Sequence, residues 1–297
     1  LYLNRAGRLI VGLGKDESLQ NKNLAQLHPN WAKDTILNEG LPAAVRDGIW
    51  MGETALLGVN GQEIPLSQLI VAHKSSNGEV DYFSTIGRDI SDLKQAEQAL
   101  KEQARLSAFR AEIDSTLSRT HNLQEMLQQC TEAIVNHLDA AFARIWTLNE
   151  RENVLELQAS AGMYTHLNGD HSRIPVGKFK IGLIAQKRRP HLTNSVQEDS
   201  RISNKKWAKK QGMVAFAGYP LIVGNQVLGV VALFARQSLT KSALQALAFI
   251  ANEISLGIKR KQAEEALRLA QERLQYLLSH SPGVIYSSKA SGDYGAT

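Results

Sequence analysis

Residues 213–235 read MVAFAGYPLIVGNQVLGVVALFA, which is two apolar runs separated by Gly224-Asn225. Two strand-like runs joined by two residues, the first of them glycine, are typical of a β-hairpin with a tight loop. We therefore predict an antiparallel hairpin of Met213–Val223 and Gln226–Ala235. The second strand contains the apolar run Val227–Ala235 and is predicted to be buried.

The residues around this hairpin predict a complete α+β domain. Asn122 with Glu125 three positions later predicts a helix start of the capping-box type, and the helix that follows has one apolar face: Leu123, Leu127, Cys130, Ile134 and Leu138. Strands are predicted at Phe142–Leu148 and around Leu155, Leu157 and Ala159, which we expect on one face. A closing helix is predicted from Thr240, with these residues pointing inward: Leu244, Leu247, Ala248, Ala251, Ile254 and Ile258.

Four short motifs in this region occur in a characteristic order and spacing: Ile174-Pro175-Val176-Gly177, Gly182-Leu183-Ile184-Ala185, Tyr219-Pro220-Leu221-Ile222 and Val227-Leu228-Gly229-Val230-Val231. On these motifs the segment 119–258 resembles a GAF domain. The resemblance implies a central antiparallel sheet with helices on one side. It also implies a small-molecule pocket between the sheet and the Ser195–Lys210 region.

The candidate pocket residues are Asp199, Arg201, Trp207 and Tyr219. Asp199-Ser200-Arg201 is a weak echo of the pocket of cyclic-nucleotide-binding GAF domains, whose full residue set is not present. Trp207 and Tyr219 either stack on a ligand ring or pack in the core. Basic residues nearby either attract an anion or form a solvated surface: Lys178, Lys180, Lys187, Arg188, Arg189, Lys205, Lys206, Lys209 and Lys210. The cofactor is unknown, and a covalent bilin is not expected because 140–258 has no cysteine.

A second sheet is predicted before this domain. Asn60-Gly61 and Asn77-Gly78 predict type I′ turns between the strands Thr54–Val59, Ile64–His73 and Val80–Ile86. A helix is predicted upstream, at Asn30–Val45, ending near Asp47-Gly48.

The triplet Asp89-Ile90-Ser91 follows this meander and precedes a helix, with Ser91 or Asp92 as the predicted N-cap. The segment 1–92 therefore resembles a PAS domain with its C-terminal PAC portion, without the family's first strand. Such domains hold flavin, haem, metabolites or nothing. A cysteinyl-flavin adduct is not expected because no cysteine precedes Cys130, and His28 and His73 are interpreted as ordinary surface histidines.

The stretch Lys94–Leu100 recurs almost unchanged at Lys261–Leu267, and both copies are rich in helix-forming residues. The second copy begins an apolar seam with successive spacings of three, four, four and three, similar to that of a two-helix coiled coil: Ala263, Ala266, Ala270, Leu274 and Leu277. We predict a signalling helix at 93–118, a connector at 259–278, and a homodimer formed through both. The residues assigned to signal relay are Asp89, Ile90, Ser91, Leu93, Leu100 and Leu274.

The composition and motif content of the chain argue against several classes of function. The net charge is +5, but the sequence has no nucleic-acid-binding motif, so nucleic acid is not an expected partner. A single cysteine predicts a reducing, cytoplasmic setting. No apolar run is long enough to predict a membrane span. Catalytic motifs and metal-ligand spacings are also missing, so we expect neither a metal site nor an enzyme activity in this region.

The chain starts at Leu1, and 279–297 resembles the start of a second PAS-like domain, so we expect a fragment truncated at both ends. The domain order resembles that of a multi-sensor histidine kinase of a two-component system, with its catalytic module beyond residue 297. Two alternatives stay open. One is the input region of a nucleotide cyclase or cyclic-di-GMP enzyme, and the other is a dimerisation scaffold without a ligand.

Overall fold

A computed structural model describes residues 2–15, 17, 26–120, 122–202 and 204–280. The chain divides into two compact units, Leu1–Gln103 and Ala104–Thr297. The start of a second PAS-like domain predicted at 279–297 lies, apart from Ser279 and His280, outside the described residues.

The first unit has a three-stranded antiparallel sheet in the order β1-β2-β3. Its elements are α1 (Arg5–Ile10), α2 (Asn30–Thr35), a π-helical segment (Ile36–Gly40), α3 (Leu41–Asp47), β1 (Ile49–Leu57), β2 (Glu63–Lys74) and β3 (Val80–Asp89). The predicted helix is confirmed, and it ends at Gly48 with a φ of 85°, a conformation that glycine adopts without strain. A small core is formed by Ile36, Ala44 and Ile70.

Both Asn-Gly pairs lie in hairpin loops, but the predicted turn type is wrong. A type I′ turn needs a positive φ at both central residues. Gly61 and Gly78 have φ values of 75° and 83°, whereas neither Asn60 nor Asn77 has a positive φ. Gly58 and Ser75 pair with Gln62 and Glu79 across the turns, so each turn encloses three residues instead of the two of a type I′ turn.

The surface interpretation of His28 is also wrong. His28 is only 6% exposed, and its Nδ1 lies 2.7 Å from the carbonyl oxygen of Ala55. Burial lowers the pKa of His28, and this hydrogen bond opposes the effect. His73 is half-buried, with its Nε2 2.7 Å from Ser84 Oγ.

Helix α4 (Ser91–Arg119) contains the predicted signalling helix. Its start is capped differently from the prediction, because Asp89 accepts a hydrogen bond from the Ser91 backbone at 2.8 Å. Ile90 is buried, and its N–H donates to the carbonyl of Pro65. Leu93 and Leu100 are 54% and 66% exposed in the described structure.

The second unit is built on a six-stranded antiparallel sheet in the order β6-β5-β4-β9-β8-β7. Its elements are α5 (Leu123–Leu138), β4 (Ala140–Asn149), β5 (Val154–Gly162), β6 (Arg173–Pro175), α6 (Phe179–Lys187), β7 (His191–Thr193), α7 (Lys205–Lys210), β8 (Ala215–Val223), β9 (Gln226–Ala235) and α8 (Lys241–Ser279). The predicted hairpin is β8–β9, with Val223 paired to Gln226. The predicted α+β class, with antiparallel sheets flanked by helices, is confirmed.

One face of this sheet is covered by α5, α8 and the last part of α4. Phe109 and Ile113 of α4 are fully buried there, and Asn122 caps α5 as predicted, accepting from the N–H groups of Gln124 and Glu125. Cys130 belongs to this core, and burial raises the pKa of its thiol to about 12, so it is an inert core residue.

The expectation that Leu155, Leu157 and Ala159 share a face is wrong. A bulge between Ile145 and Trp146 leaves Gln158 without a register partner. One extra residue reverses the alternation of a strand. Leu155 and Leu157 consequently belong to the core on the other face, while Ala159 packs under the helices.

The closing helix and the predicted connector are one element, since α8 follows its N-cap Thr240 and runs for 39 residues, from Lys241 to Ser279. Both Gln-Ala-Glu stretches are helical. From Gln262 onward the α8 side chains are exposed, including Leu274 and Leu277 at 58% each. None of the described helices combines the length and apolar character that crossing a membrane requires.

Candidate functional site

The site lies on the sheet face opposite α5 and α8, and strand register determines its floor. Phe142, Phe234 and Phe216 pair with one another across β4, β9 and β8, and their rings are in contact, with centroids 5.2 Å and 4.9 Å apart. Two residues further along the strands, the same face carries Arg144, Ala232 and Gly218 in register. Because two of these three are small, a space remains above the sheet beside the phenylalanine row.

This space is a cavity of about 360 Å³. Its volume is within the range of small-molecule sites. Its walls come from the segment between β5 and β6, from α6 and from the segment leading into α7. The lining includes Trp146, Tyr164, His166, Asp170, His171, Ile174, Phe179, Lys180, Arg201, Ile202, Asn204 and Trp207. The cavity is therefore mostly aromatic and apolar, with a few cationic groups.

Arg144 is the first of these cations, and it is only 7% exposed. Its Nε donates to Ser160 Oγ at 3.1 Å, and the guanidinium carbon lies 5.7 Å and 5.6 Å from the ring centres of Phe142 and Tyr164. Burial lowers the pKa of Arg144, which nevertheless stays charged. Among the described residues, no carboxylate forms an ion pair with it.

Lys180 is the second cation. Its Nζ is buried and has no hydrogen-bond partner within the described part of the chain. The ammonium lies 3.7 Å from the ring centre of Phe216 and 5.4 Å from that of Phe234. Cation–π contact compensates only part of the lost hydration of a buried ammonium. Lys180 is consequently available to an anion.

Arg201, the third cation, is already neutralised. Asp199 accepts from the Arg201 backbone and from its Nε at 2.9 Å and 3.0 Å, and from His191 Nε2 at 2.6 Å. Although burial alone would raise it, the pKa of Asp199 is held well below its usual range by these hydrogen bonds. Burial lowers the pKa of His191, against the effect of Asp199, so His191 is a neutral donor near pH 7.

The predicted site residues separate into three groups. Arg201 and Trp207 line the cavity, and Trp207 donates to Tyr164 Oη at 3.0 Å. Asp199 does not line it and instead holds Arg201 and His191. Tyr219 is wrong as a pocket residue: it points to the opposite face of β8, where its hydroxyl donates to the Leu244 carbonyl at 3.0 Å.

The basic cluster predicted from the sequence contributes little to the cavity. Of its nine members, all of them described, only Lys180 lines the space. The other eight are exposed, so the solvated-surface interpretation is correct for them. Arg144 was not singled out, although its alternation with Phe142 and Trp146 on β4 places it on the cavity face.

Two glycines of the four sequence motifs, Gly182 and Gly229, lie where neighbouring backbone segments approach closely. A Cβ at Gly182 would lie 2.3 Å from the Pro175 carbonyl oxygen, and one at Gly229 would lie 2.0 Å from the Trp146 carbonyl oxygen. Gly182 also accepts a hydrogen bond from the Gly177 N–H at 2.9 Å. The spacing of these motifs therefore reflects close packing of α6 and of β9 against neighbouring backbone.

The family comparison agrees with this architecture, since residues 120–259 match the family model described as GAF domain. Residues 120–259 form a GAF domain. The cavity lies within this segment. No curated protein matches the chain.

Several solved structures are similar to the GAF domain. One is the GAF domain from an Acinetobacter phosphoenolpyruvate-protein phosphotransferase, with 18% identity, a TM-score of 0.46, and coverage of 56% of this chain and 98% of that one. The corresponding domain from Coxiella burnetii has 17% identity, a TM-score of 0.49, and coverage of 57% and 98%. A methyl-accepting chemotaxis protein has 19% identity, a TM-score of 0.44, and coverage of 52% and 99%.

The buried ammonium of Lys180 gives a pH-dependent prediction for stability. Its pKa is lowered to about 8, mainly by burial, from an ordinary value of 10.5. Below pH 8 the Lys180 ammonium is charged in the folded protein, and the full cost of burying it is subtracted from the free energy of unfolding. Between pH 8 and 10.5 the unfolded chain binds more protons, so this cost disappears as pH rises. We expect Lys180→Met to raise the melting temperature at pH 7 and to raise it less at pH 10.

Thermal unfolding followed by circular dichroism measures this difference. Lys178→Met is the matched control, because Lys178 is exposed two positions earlier, and we expect it to change the melting temperature little at either pH. An equal effect of both variants would show that Lys180 carries no buried charge.

Proposed function

We propose that this chain is a sensory input and relay region of a signalling protein, in which the GAF cavity binds a small organic ligand. The observation that carries the proposal is the cavity itself, where Arg144 and Lys180 are buried among aromatic rings without a carboxylate partner in the described structure. Burying such charges costs stability. A ligand that pairs with them explains why they are there, because functional sites often sacrifice stability.

The relay is proposed to pass through the sheet at Ser160. Its hydroxyl accepts from Arg144 at 3.1 Å and donates to the Tyr164 carbonyl at 2.6 Å. Its backbone is bound by the side chain of Gln128 on α5, which donates to the Ser160 carbonyl at 3.2 Å and accepts from its N–H at 3.3 Å. One residue thus contacts both a cavity cation and the helical layer.

Helix α8 is the proposed output of this relay. It packs on the same sheet face as α5 and continues well past the domain core. A ligand shifts such a helix only if it binds two arrangements of the domain with different affinities. Ligand binding in the cavity must therefore change the packing of α5 and α8.

The wider context is proposed from resemblance alone. The first unit, with its meander and Asp89-Ile90-Ser91 ending, is proposed to be PAS-like. The parent protein is proposed to be a sensor histidine kinase, with ATP-dependent phosphotransfer carried by a module outside this chain. We also propose that this region lies in the cell interior and does not itself catalyse a reaction.

The test of ligand binding is a thermal-shift panel of small aromatic acids, amides and amines. We expect at least one compound to raise the melting temperature of the wild-type chain and to have no effect on Ala232→Phe, whose added ring occupies the cavity. Ala232→Ser, which leaves the space open, is the matched control and should respond like the wild type. A panel that stabilises neither protein, or both equally, contradicts the proposal.

The relay proposal also includes a homodimer through the exposed seam of α8. Placing a charge at Leu274 on each of two facing helices removes apolar burial worth roughly 1.5–3 kcal/mol per leucine. We therefore expect Leu274→Lys to weaken self-association at least about tenfold. Gln271→Lys, an exposed position off the seam, is the matched control. Sedimentation of the wild-type chain as a monomer at micromolar concentration would contradict the dimer.

A further inference from the structure

The arrangement of the two unpartnered cations specifies the ligand more closely. Resting on the proposed function, we propose that the cavity binds a flat, ring-containing organic dianion, with one acidic group at Arg144 and the other at Lys180. The ring lies over Ala232, between these two cations and beside the phenylalanine row.

Strand spacing places the two cations at opposite ends of the floor. Arg144 belongs to β4 and lies near Phe142, whereas Lys180 reaches from α6 over Phe216 on β8. Strand β9 lies between β4 and β8, and neighbouring strands are about 4.8 Å apart. The floor between the two cations is therefore about 10 Å wide. One compact anion does not reach both ends, but two acidic groups on a rigid ring system do.

Among the described residues, no carboxylate forms an ion pair with either of these two cations, although Asp199 acts on Lys180 at longer range. Arg201 is paired with Asp199. Burial and the nearby Arg144 lower the pKa of His171, so this histidine adds no charge near neutral pH. Asp170 also lines the cavity, but it forms no ion pair with Arg144 or Lys180 in the described structure. A ligand with two acidic groups would therefore pair directly with each of these two cations.

The shape of the ligand follows from the side chains around Ala232. The rings of Phe234 and Phe216 border the space on one side, and Trp146 lines it on the other. Trp207 and Tyr164 contact the Phe142 end of the floor, with ring centroids 6.0 Å and 5.2 Å from that of Phe142. Aromatic walls favour a planar ring system, which stacks or packs edge-on against them.

The probe for this inference is naphthalene-2,6-dicarboxylate, compared at pH 7 with 2-naphthoate and with the uncharged 2,6-dicarboxamide. Binding is followed by calorimetry and by tryptophan fluorescence. We expect the dianion to bind at least about tenfold more tightly than the monoanion, and the monoanion more tightly than the diamide. Ala232→Phe should abolish binding of all three compounds.

Variants of Lys180 show whether the second acidic group is recognised there. We expect Lys180→Met to bring the affinity of the dianion down to that of the monoanion. Lys180→Arg should restore part of the difference, and the control Lys178→Met should leave it unchanged. Ser160→Ala, which keeps Arg144 but removes its hydrogen-bond partner, should weaken both anions several-fold without removing the preference for the dianion.

Three results overturn the inference: a diamide that binds as tightly as the dianion, a preference that Lys180→Met does not change, or no binding of any probe. If the diamide binds the wild type but not Ala232→Phe, the charge assignment is wrong while the proposed function stands. If binding is unaffected by Ala232→Phe, the cavity is not the site and both fail.

Discussion

Gly229→Ala is expected to destabilise the GAF domain by about 3 kcal/mol or more. The added methyl group would lie 2.0 Å from the carbonyl oxygen of Trp146 and 3.1 Å from the Cα of Thr147. These are backbone atoms of β4, which is paired on both sides, with β5 and with β9. Relief requires β4 and β9 to separate, and this would weaken the ladder between the two central strands of the sheet.

Urea unfolding followed by circular dichroism measures this loss. Gly257→Ala in α8 is the matched control, since its methyl group would meet the ends of the Leu117 and Met126 side chains, 2.7 Å and 3.3 Å away. Flexible side chains move at small cost, and alanine gains about 1 kcal/mol of helix propensity over glycine. We expect this control to change stability by less than about 1 kcal/mol. Equal effects of the two variants would contradict the packing described for β4 and β9.

Phe109→Ala is the second large expected effect, a loss of about 3–5 kcal/mol. Phe109 is fully buried in the core beneath the sheet and stacks on His137, with ring centroids 5.2 Å apart. Its removal leaves a cavity between α4 and α5. The expected loss follows from α4 contributing its second half to the GAF core, beyond its role as a connector.

Leu100→Ala is the matched control for Phe109→Ala, because Leu100 lies earlier on the same helix and is 66% exposed. We expect it to change the free energy of unfolding by less than about 0.5 kcal/mol in the monomer. If Phe109→Ala is as mild as Leu100→Ala, the last turns of α4 do not pack as described.

Local pattern was sufficient to predict much of this architecture. The hairpin around Gly224-Asn225, the cap at Asn122 and the helix that starts after Thr240 were all predicted from neighbouring residues, and the structure contains each of them. Such features depend on turn chemistry, capping and apolar periodicity within a few residues, which a sequence displays directly.

Features that depend on distant parts of the chain were predicted less well. The bulge at Gln158 reverses the face of Ala159, and nothing in the alternation of β5 indicates it. His28 looks like a loop residue until β1 brings the Ala55 carbonyl to its ring. In both cases a partner far along the chain decides where the side chain lies.

The residues of the candidate site were likewise predictable only in part. Arg201 and Trp207 line the pocket that the resemblance implies, whereas Tyr219 takes the other role left open for it and packs in the core. Strand alternation places Tyr219 on the helix side of β8. Applied to β4 and β8, the alternation selects Arg144 and Phe216 on the cavity side. Within the described residues, the burial of Lys180 Nζ without a hydrogen-bond partner is a three-dimensional property, so a chain region rich in lysine does not predict it.

The central claim is that ligand binding in the cavity changes the packing of α5 and α8 on the other face of the sheet. Hydrogen exchange measured by mass spectrometry tests it, with the panel compound that gives the largest thermal shift added to the wild type and to Ala232→Phe. We predict that in the wild type the compound slows exchange around the cavity and changes exchange in α5 and α8, and that it changes neither in Ala232→Phe. Protection of the cavity segments with unchanged exchange in α5 and α8 would contradict the account.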